Sequence, residues 1–156
     1  MRLKKQVLEK IVSGGQTGAD RAALDWAILR KIPHSGYCPK GRLAEDGRLD
    51  AKYQLIQTRT TDYRERTEKN LLESDGTVIF SLSDKLSGGS LDTLRLAEKH
   101  KKPILHLHLA VTQPARKLER FIGKHKIQIL NIAGPRASKE PGIEGFVESV
   151  LDALAR

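Results

Sequence analysis

The residues best suited to chemistry in this chain lie in three glycine-containing loops, each directly after an apolar segment. The first loop, SGGQTG at 13–18, has three glycines within five positions. The second, LSDKLSGGS at 82–90, and the third, AGPR at 133–136, add hydroxyl and basic side chains. Glycine lets the backbone approach a ligand closely, and the free amides at the start of a helix attract negative charge. These loops therefore predict an oxyanion-binding site.

The segments between these loops predict an α/β fold. Apolar strands are expected at 7–12, 76–81, 103–109 and 127–132, and amphipathic helices at about 18–31, 62–74, 90–101, 114–125 and 141–155. Such alternation produces right-handed crossovers and a mainly parallel sheet covered by helices on both faces. The expected architecture is a Rossmann-like, doubly wound domain that spans 1–156 as one unit. All three loops would then open at the carboxyl edge of the sheet, where ligands bind in such folds.

Polar residues near the expected helix starts predict specific caps. Asp62 and Glu65 have the spacing of a capping box, and Ser90 is placed as an N-cap with Thr93 one turn later. Thr17 and Asp20 are similarly placed at the first helix. Inward faces are predicted from helical spacing for three of the helices: Ala22, Ala23, Trp26 and Ala27; Leu118, Phe121 and Ile122; and Ile143, Val147, Val150 and Leu154.

The segment 36–61 departs from this alternation. It contains little helical periodicity, one possible short strand at about 53–57 and a charged middle. Long excursions in compact domains are usually functional or mobile. The prediction is a binding loop, with a purely structural excursion as the alternative.

Composition indicates a soluble protein with an affinity for anions. The net charge is +9 and the isoelectric point is about 9.8, so phosphorylated molecules, oxyanions or nucleic acid would be attracted. Dispersed lysines and arginines that only keep the protein soluble are the alternative. No apolar run approaches the length of a membrane span, and the single Cys38 cannot form an internal disulfide. A cytoplasmic location without membrane attachment is therefore expected.

Several function classes lack their motifs. The sequence has no G-x-S-x-G, HExxH or CxxC motif, no Walker A loop and no complete G-x-G-x-x-G. His106 and His108 would face the same side of a strand, but the spacing suggests no third metal ligand, and Cys38 has no partner motif. Aromatic residues make up only 4% of the chain, which is a poor basis for stacking nucleic-acid bases. No metal site, catalytic residue or nucleic-acid surface is predicted.

Five segments together resemble the putative molybdenum carrier family: SGGQTGADRAALDWA at 13–27, YCPKGRLAEDG at 37–47, YRERTEKNLLESDGTVIF at 63–80, LSGGS at 86–90 and LNIAGPRASKEPGI at 130–143. The resemblance covers about 9–155 and implies a doubly wound fold, a homo-oligomer (dimer or tetramer) and a phosphate-bearing ligand, proposed to be molybdenum cofactor. The positions that match are Gly14, Gly15, Gln16, Thr17, Gly18, Asp20, Arg21, Lys40, Arg42, Gly88, Gly89, Ser90, Asn131, Gly134 and Arg136.

The same superfamily includes lysine-decarboxylase-like phosphoribohydrolases, which provide the alternative function. These enzymes resemble one another in a P-G-G-x-G-T-x-x-E loop whose glutamate takes part in cleavage of the N-glycosidic bond. Here Leu91, Asp92 and Arg95 occupy the positions of the third glycine, the threonine and the glutamate. Glu98 follows about one turn later. The expectation is a carrier of an anionic ligand, and a nucleotide N-glycosidase remains the alternative.

Overall fold

A computed structural model of the chain describes residues 8–155. Its main sheet contains five parallel strands: β1 (Lys10–Val12), β2 (His34–Ser35), β7 (Gly76–Phe80), β8 (Ile104–Leu107) and β9 (Ile129–Ala133). Their spatial order in the sheet is β2-β1-β9-β7-β8. Two small ribbons lie outside it: β3 (Tyr37–Cys38) with β6 (Ile56–Gln57), and β4 (Leu43–Ala44) with β5 (Gly47–Arg48).

Five helices cover the main sheet, as the sequence predicts. They are α1 (Ala19–Leu29), α2 (Tyr63–Glu73), α3 (Gly88–Lys99), α4 (Pro114–Lys124) and α5 (Ile143–Leu154). Helix α5 packs between α1 and α4, whereas α2 packs against α3, so the two groups cover opposite faces. The doubly wound α/β class is therefore confirmed.

Burial follows from this layering. Every residue of β7 is buried, because a strand covered on both faces has no solvent side. All the residues predicted to face inward on α1, α4 and α5 are buried in the main core, together with Ile11, Phe80, Leu130 and Ile132 of the sheet. No helix among residues 8–155 is both long and apolar enough to cross a membrane.

The strands are shorter than predicted, and one strand of the main sheet was missed. The first strand begins at Lys10; residue 7, also predicted as strand, lies outside the described residues. Strand β2 (His34–Ser35) has only two residues and therefore shows no periodicity in sequence, yet it pairs with β1 as an edge strand. The predicted short strand near 53–57 is present as β6.

Two of the predicted helix caps are wrong, and the capping box is only half formed. Helix α3 begins at Gly88 after Ser87, so Ser90 lies inside the helix and Thr93 donates to the Gly89 carbonyl at 2.9 Å. Helix α1 starts after Gly18, with no side-chain cap from Thr17 or Asp20. At α2, Asp62 accepts from the Arg64 amide at 2.9 Å, but Glu65 accepts from the Arg59 amide instead of that of Asp62.

The excursion at 36–61 is packed onto α1 by a second, smaller apolar cluster. Cys38, Leu49, Tyr53 and Leu55 are buried there against Leu24. The Tyr53 hydroxyl also donates to the Asp25 carboxylate at 2.5 Å. This segment is therefore an ordered part of the domain.

Candidate functional site

The three glycine-containing loops open into one cleft at the carboxyl edge of the sheet. The cleft occupies about 780 Å³, including the part open to solvent, so a small molecule can enter it directly. It lies beyond the carboxyl ends of the parallel strands β1, β9 and β7, where the strand order of the sheet reverses and doubly wound folds bind ligands. Its lining comprises Gly14, Gln16 and Asp20; Ser87, Gly88, Gly89, Ser90 and Thr93; Asn131, Ile132, Ala133, Gly134, Pro135, Arg136 and Lys139; and Tyr63, Arg66, Thr67 and Asn70 of α2.

The start of α3 offers backbone donors to the cleft. The first amide that bonds back within this region is that of Leu91, which donates to the Ser87 carbonyl at 3.4 Å. Gly88, Gly89 and Ser90 therefore begin the helix with amides that have no acceptor in the turn before them, and the Ser87 side chain makes no cap bond. The positive end of the helix dipole adds to this potential. This is the geometry of an anion site.

Lys139 brings a positive charge to the same helix start. A Cβ atom added at Gly88, whose φ is +55°, would lie 2.8 Å from the Lys139 ammonium nitrogen. The amine thus lies beside the first residue of α3. An anion bound there would meet both amides and a cation.

The first loop differs from the second because much of its hydrogen-bonding capacity is already used. The Gln16 amide donates to Asp20 at 3.3 Å, the Thr17 amide to the Gln16 side chain at 3.0 Å and the Ala19 amide to the Pro135 carbonyl at 3.2 Å. At Gly18 (φ +83°), an added Cβ would lie 2.4 Å from that same carbonyl oxygen. Gly18 therefore allows the first and third loops to touch through their backbones.

A buried ion pair forms one wall of the cleft. The Asp20 carboxylate accepts from Arg66 of α2 at 3.2 Å, and both side chains are largely buried. Burial raises the pKa of Asp20 above its ordinary value, and the neighbouring Arg66 charge opposes that rise. Asp20 is the one carboxylate in the lining, whereas Arg66, Arg136 and Lys139 supply three cations. The cleft is therefore positive overall.

Nine of the fifteen predicted site residues line the cleft, and six do not. Those in the lining are Gly14, Gln16, Asp20, Gly88, Gly89, Ser90, Asn131, Gly134 and Arg136. Gly15, Thr17 and Gly18 belong to the first loop but are not in the lining. The other three, Arg21, Lys40 and Arg42, belong to α1 and the excursion and lie outside the lining.

The two arginines outside the cleft are held by nearer acceptors. Arg21 pairs with Asp46 at 2.7 Å and donates to the Gly15 carbonyl. Arg42 donates to the carbonyls of the excursion, including those of Asp50 and Tyr53 at 2.9 Å. No residue of 36–61 is in the lining, so this segment supports α1 and does not form a wall of the cleft.

Sequence reasoning gave no site role to the residues of α2 or to Lys139. The four lining residues of α2 are Tyr63, Arg66, Thr67 and Asn70. Their spacing of three, four and seven residues places them on one helix face. A polar stripe on a helix that covers an otherwise apolar sheet is the signal that could have identified them.

The lining does not support the hydrolase alternative. Arg95 and Glu98 are exposed on α3, and neither contributes to the cleft. The position that holds the catalytic glutamate in the related hydrolases is thus occupied here by Arg95, a positively charged residue that faces solvent.

The histidine pair and Cys38 lie elsewhere. The His106 and His108 rings are 5.1 Å apart on the same side, as predicted, and His106 contacts the Ser81 hydroxyl at 2.6 Å. Among residues 8–155 no group of three or more histidine, cysteine or acidic residues could hold a metal ion. Cys38 is buried, and burial raises the pKa of its thiol.

Comparisons with known proteins agree with this architecture. A crystal structure described as a putative molybdenum carrier protein from Syntrophus aciditrophicus SB is similar to this chain, with 49% sequence identity, 98% of each chain covered and a TM-score of 0.95. No curated protein matches significantly. The family model described as the circularly permutated YpsA SLOG family matches residues 11–155. The chain therefore belongs to the circularly permutated YpsA family of the SLOG superfamily.

Proposed function

We propose that the protein binds and carries a small anionic, phosphate-bearing ligand in this cleft, with molybdenum cofactor as the candidate. The observation that carries the proposal is the start of α3, where the amides of Gly88, Gly89 and Ser90 have no acceptor in the preceding turn and the Lys139 amine lies beside Gly88. Arg66 and Arg136 line the same space. Negative charge on a ligand would be compensated by all of these groups.

The number of donors is adequate for useful affinity. A hydrogen bond to a charged group contributes about 1.5–3 kcal/mol. Micromolar binding requires about 8 kcal/mol, so about three to five such bonds are sufficient even without apolar contacts. The cleft does not need to perform chemistry to hold its ligand.

Two observations favour a carrier over an enzyme. The similar crystal structure is described as a putative molybdenum carrier protein, and the lining has no carboxylate at the position where the related hydrolases have theirs. Asp20, the carboxylate that is present, is already paired with Arg66. Release of ribose phosphate from nucleoside monophosphates would contradict this proposal.

Anaerobic purification followed by elemental analysis and pterin fluorescence tests the ligand directly. A thermal-shift series with phosphate, molybdate and nucleotides tests the site, because a ligand that prefers the folded state raises the melting temperature. We expect Lys139→Gln to reduce the shift. The matched control is Lys85→Gln, an exposed lysine of the same region outside the lining, which should leave it unchanged. Equal effects of the two substitutions would contradict the proposed site.

We further propose a cytoplasmic homo-oligomer, a dimer or tetramer, as the resemblance implies. Large apolar side chains at the surface, among them Leu29, Ile56 and Leu109, are at least 60% exposed and could be covered by another copy. Light scattering on the purified protein measures the oligomer size. A monomer at micromolar concentration would contradict the proposal.

A further inference from the structure

Arg66 is held in the cleft in an arrangement that leaves part of its binding capacity unused. One terminal nitrogen of the Arg66 guanidinium lies 3.2 Å from the Asp20 carboxylate. The Arg66 Nε atom is buried and has no hydrogen-bond partner. A Cβ added at Gly14 would lie 1.8 Å from the same terminal nitrogen. The absence of a side chain at position 14 therefore creates the space in which the guanidinium meets Asp20.

We propose that Asp20 is an internal competitor for Arg66, so that an anion entering the cleft takes over the guanidinium and leaves Asp20 to bind a proton. This inference rests on the proposed function and adds its regulation: the protein takes up a proton together with its anionic ligand. Arg66 becomes the residue that senses the ligand, and Asp20 positions it beforehand. Asp20 thus keeps the Arg66 guanidinium paired until an anion binds.

The geometry allows this exchange. The Arg66 side chain is 14% exposed, so one side reaches the cleft while the other contacts Asp20. A guanidinium has five donors in a planar fork and suits the oxygens of phosphate-like groups. Asp20 has its side chain only 5% exposed, and a carboxylate at such depth is costly without a partner. Loss of the contact with Arg66 would therefore favour the neutral, protonated form of Asp20.

The other charged side chains that line the cleft beside this pair are cations. Arg66 reaches Asp20 from α2, and the segment after β9 contributes Arg136 and Lys139 to the same cleft. Arg21, the next residue of α1, is turned away toward Asp46. From β3, the Cys38 thiol senses the charge of Arg66. The remaining contacts of Asp20 are neutral, with Gln16 and Ser13 as hydrogen-bond partners.

The Asp20–Arg66 ion pair determines how the affinity for an anion depends on pH. Burial already raises the pKa of Asp20, and the Arg66 charge opposes that rise. When the Arg66 guanidinium pairs with the ligand instead of Asp20, the pKa of Asp20 rises further. Affinity must then fall as the pH rises from the pKa of the free protein to that of the complex. If binding raises this pKa by one, affinity falls about tenfold in total, from a pH well below both pKa values to a pH well above them.

Sulfate is a suitable probe, because it stays fully ionised at the relevant pH and contributes no proton of its own. Nuclear magnetic resonance follows three signals in the whole protein: the amides of Gly88 and Gly89, the Arg66 Nε and the Asp20 carboxyl carbon. We expect all three to respond to sulfate, and the titration midpoint of Asp20 to move to higher pH. If the glycine amides respond while Asp20 and Arg66 do not, this inference is overturned and the proposed function stands. If the glycine amides do not respond, both fail.

Two pairs of variants separate competition from a purely structural ion pair. Asp20→Asn removes the competing charge, so sulfate should bind several-fold more tightly at pH 8 than to the wild type, with no pH dependence. Asp46→Asn is the control, because it breaks an aspartate–arginine pair outside the cleft, and it should leave both properties unchanged.

Arg66→Gln should lose the coupling to protons and weaken sulfate binding, whereas Arg64→Gln, on the exposed side of the same helix, should do neither. Wild-type pH dependence in Asp20→Asn would overturn the inference. Should that variant fail to fold, the shift of the wild-type Asp20 midpoint decides the matter alone.

Discussion

Replacement of Gly18 by alanine tests the close contact between the first and third loops. Gly18 has φ +83° and ψ −129°, a conformation that costs a residue with a side chain about 1–3 kcal/mol. The new Cβ would also lie 2.4 Å from the Pro135 oxygen and 2.7 Å from the Ala137 nitrogen. Both neighbours are backbone atoms, so the loops must separate.

Separation of the loops breaks identifiable hydrogen bonds. The Ala19 amide donates to the Pro135 carbonyl at 3.2 Å, and the Ala137 amide donates to the Thr17 hydroxyl at 3.2 Å. Each contributes about 0.5–1.5 kcal/mol. With the backbone strain, the loss in the free energy of unfolding is about 2–6 kcal/mol. For a chain of this size a central value of about 4 kcal/mol lowers the melting temperature by about 8–16 °C.

Gly145→Ala is the matched control, since it makes the same chemical change within α5. An added Cβ there meets nothing within 4 Å, and alanine is preferred to glycine in a helix by about 0.5–1 kcal/mol. Urea denaturation should therefore show opposite signs for the two variants, with unchanged m-values. A Gly18→Ala protein within about 1 kcal/mol of wild type would refute the reasoning. It would mean that the loops move apart at little cost.

Two further predictions concern the core and the pH dependence of stability. Leu151→Ala should cost about 2–5 kcal/mol in urea denaturation because Leu151 is fully buried in the main core. Glu148→Ala, at an exposed position of the same helix, should change stability by less than about 0.5 kcal/mol, and similar losses would contradict the described packing. Burial, followed by the charge of the neighbouring His108, lowers the pKa of His106 below its ordinary value of 6.5. Near and below pH 6.5 the unfolded chain therefore binds more protons at this histidine than the folded protein does. The stability of the fold should thus decline as the pH falls below 6.5. The melting temperature measured from pH 7.5 to 5.5 should decline less in His106→Gln, and an identical slope would exclude His106 as its source.

Much of the fold could be predicted from local sequence, because it depends on periodicity. The alternation of apolar runs with helical spacing determined the α/β class, and all five helices are present within a few residues of their predicted ends. The other two-residue strands, β2 to β5, escaped prediction, unlike β6, because their pairing depends on the neighbouring chain. The start of α3 was misplaced because Ser90 is a favourable cap by type, while the chain had already turned helical at Gly88.

Local sequence likewise predicts one part of the candidate site, and tertiary structure determines the rest. The order of the loops after β1, β7 and β9 follows from a parallel sheet, so the sequence by itself determined that Gly14, Gly88 and Gly134 would meet at one edge. Which cations would join them was decided only by tertiary structure. Arg21 pairs with Asp46, 25 residues away, whereas the packing of α2 places Arg66 in the lining of the cleft. The physical reason is that a long charged side chain pairs with whatever acceptor the folded chain places within its reach, and spacing along the sequence does not specify that acceptor.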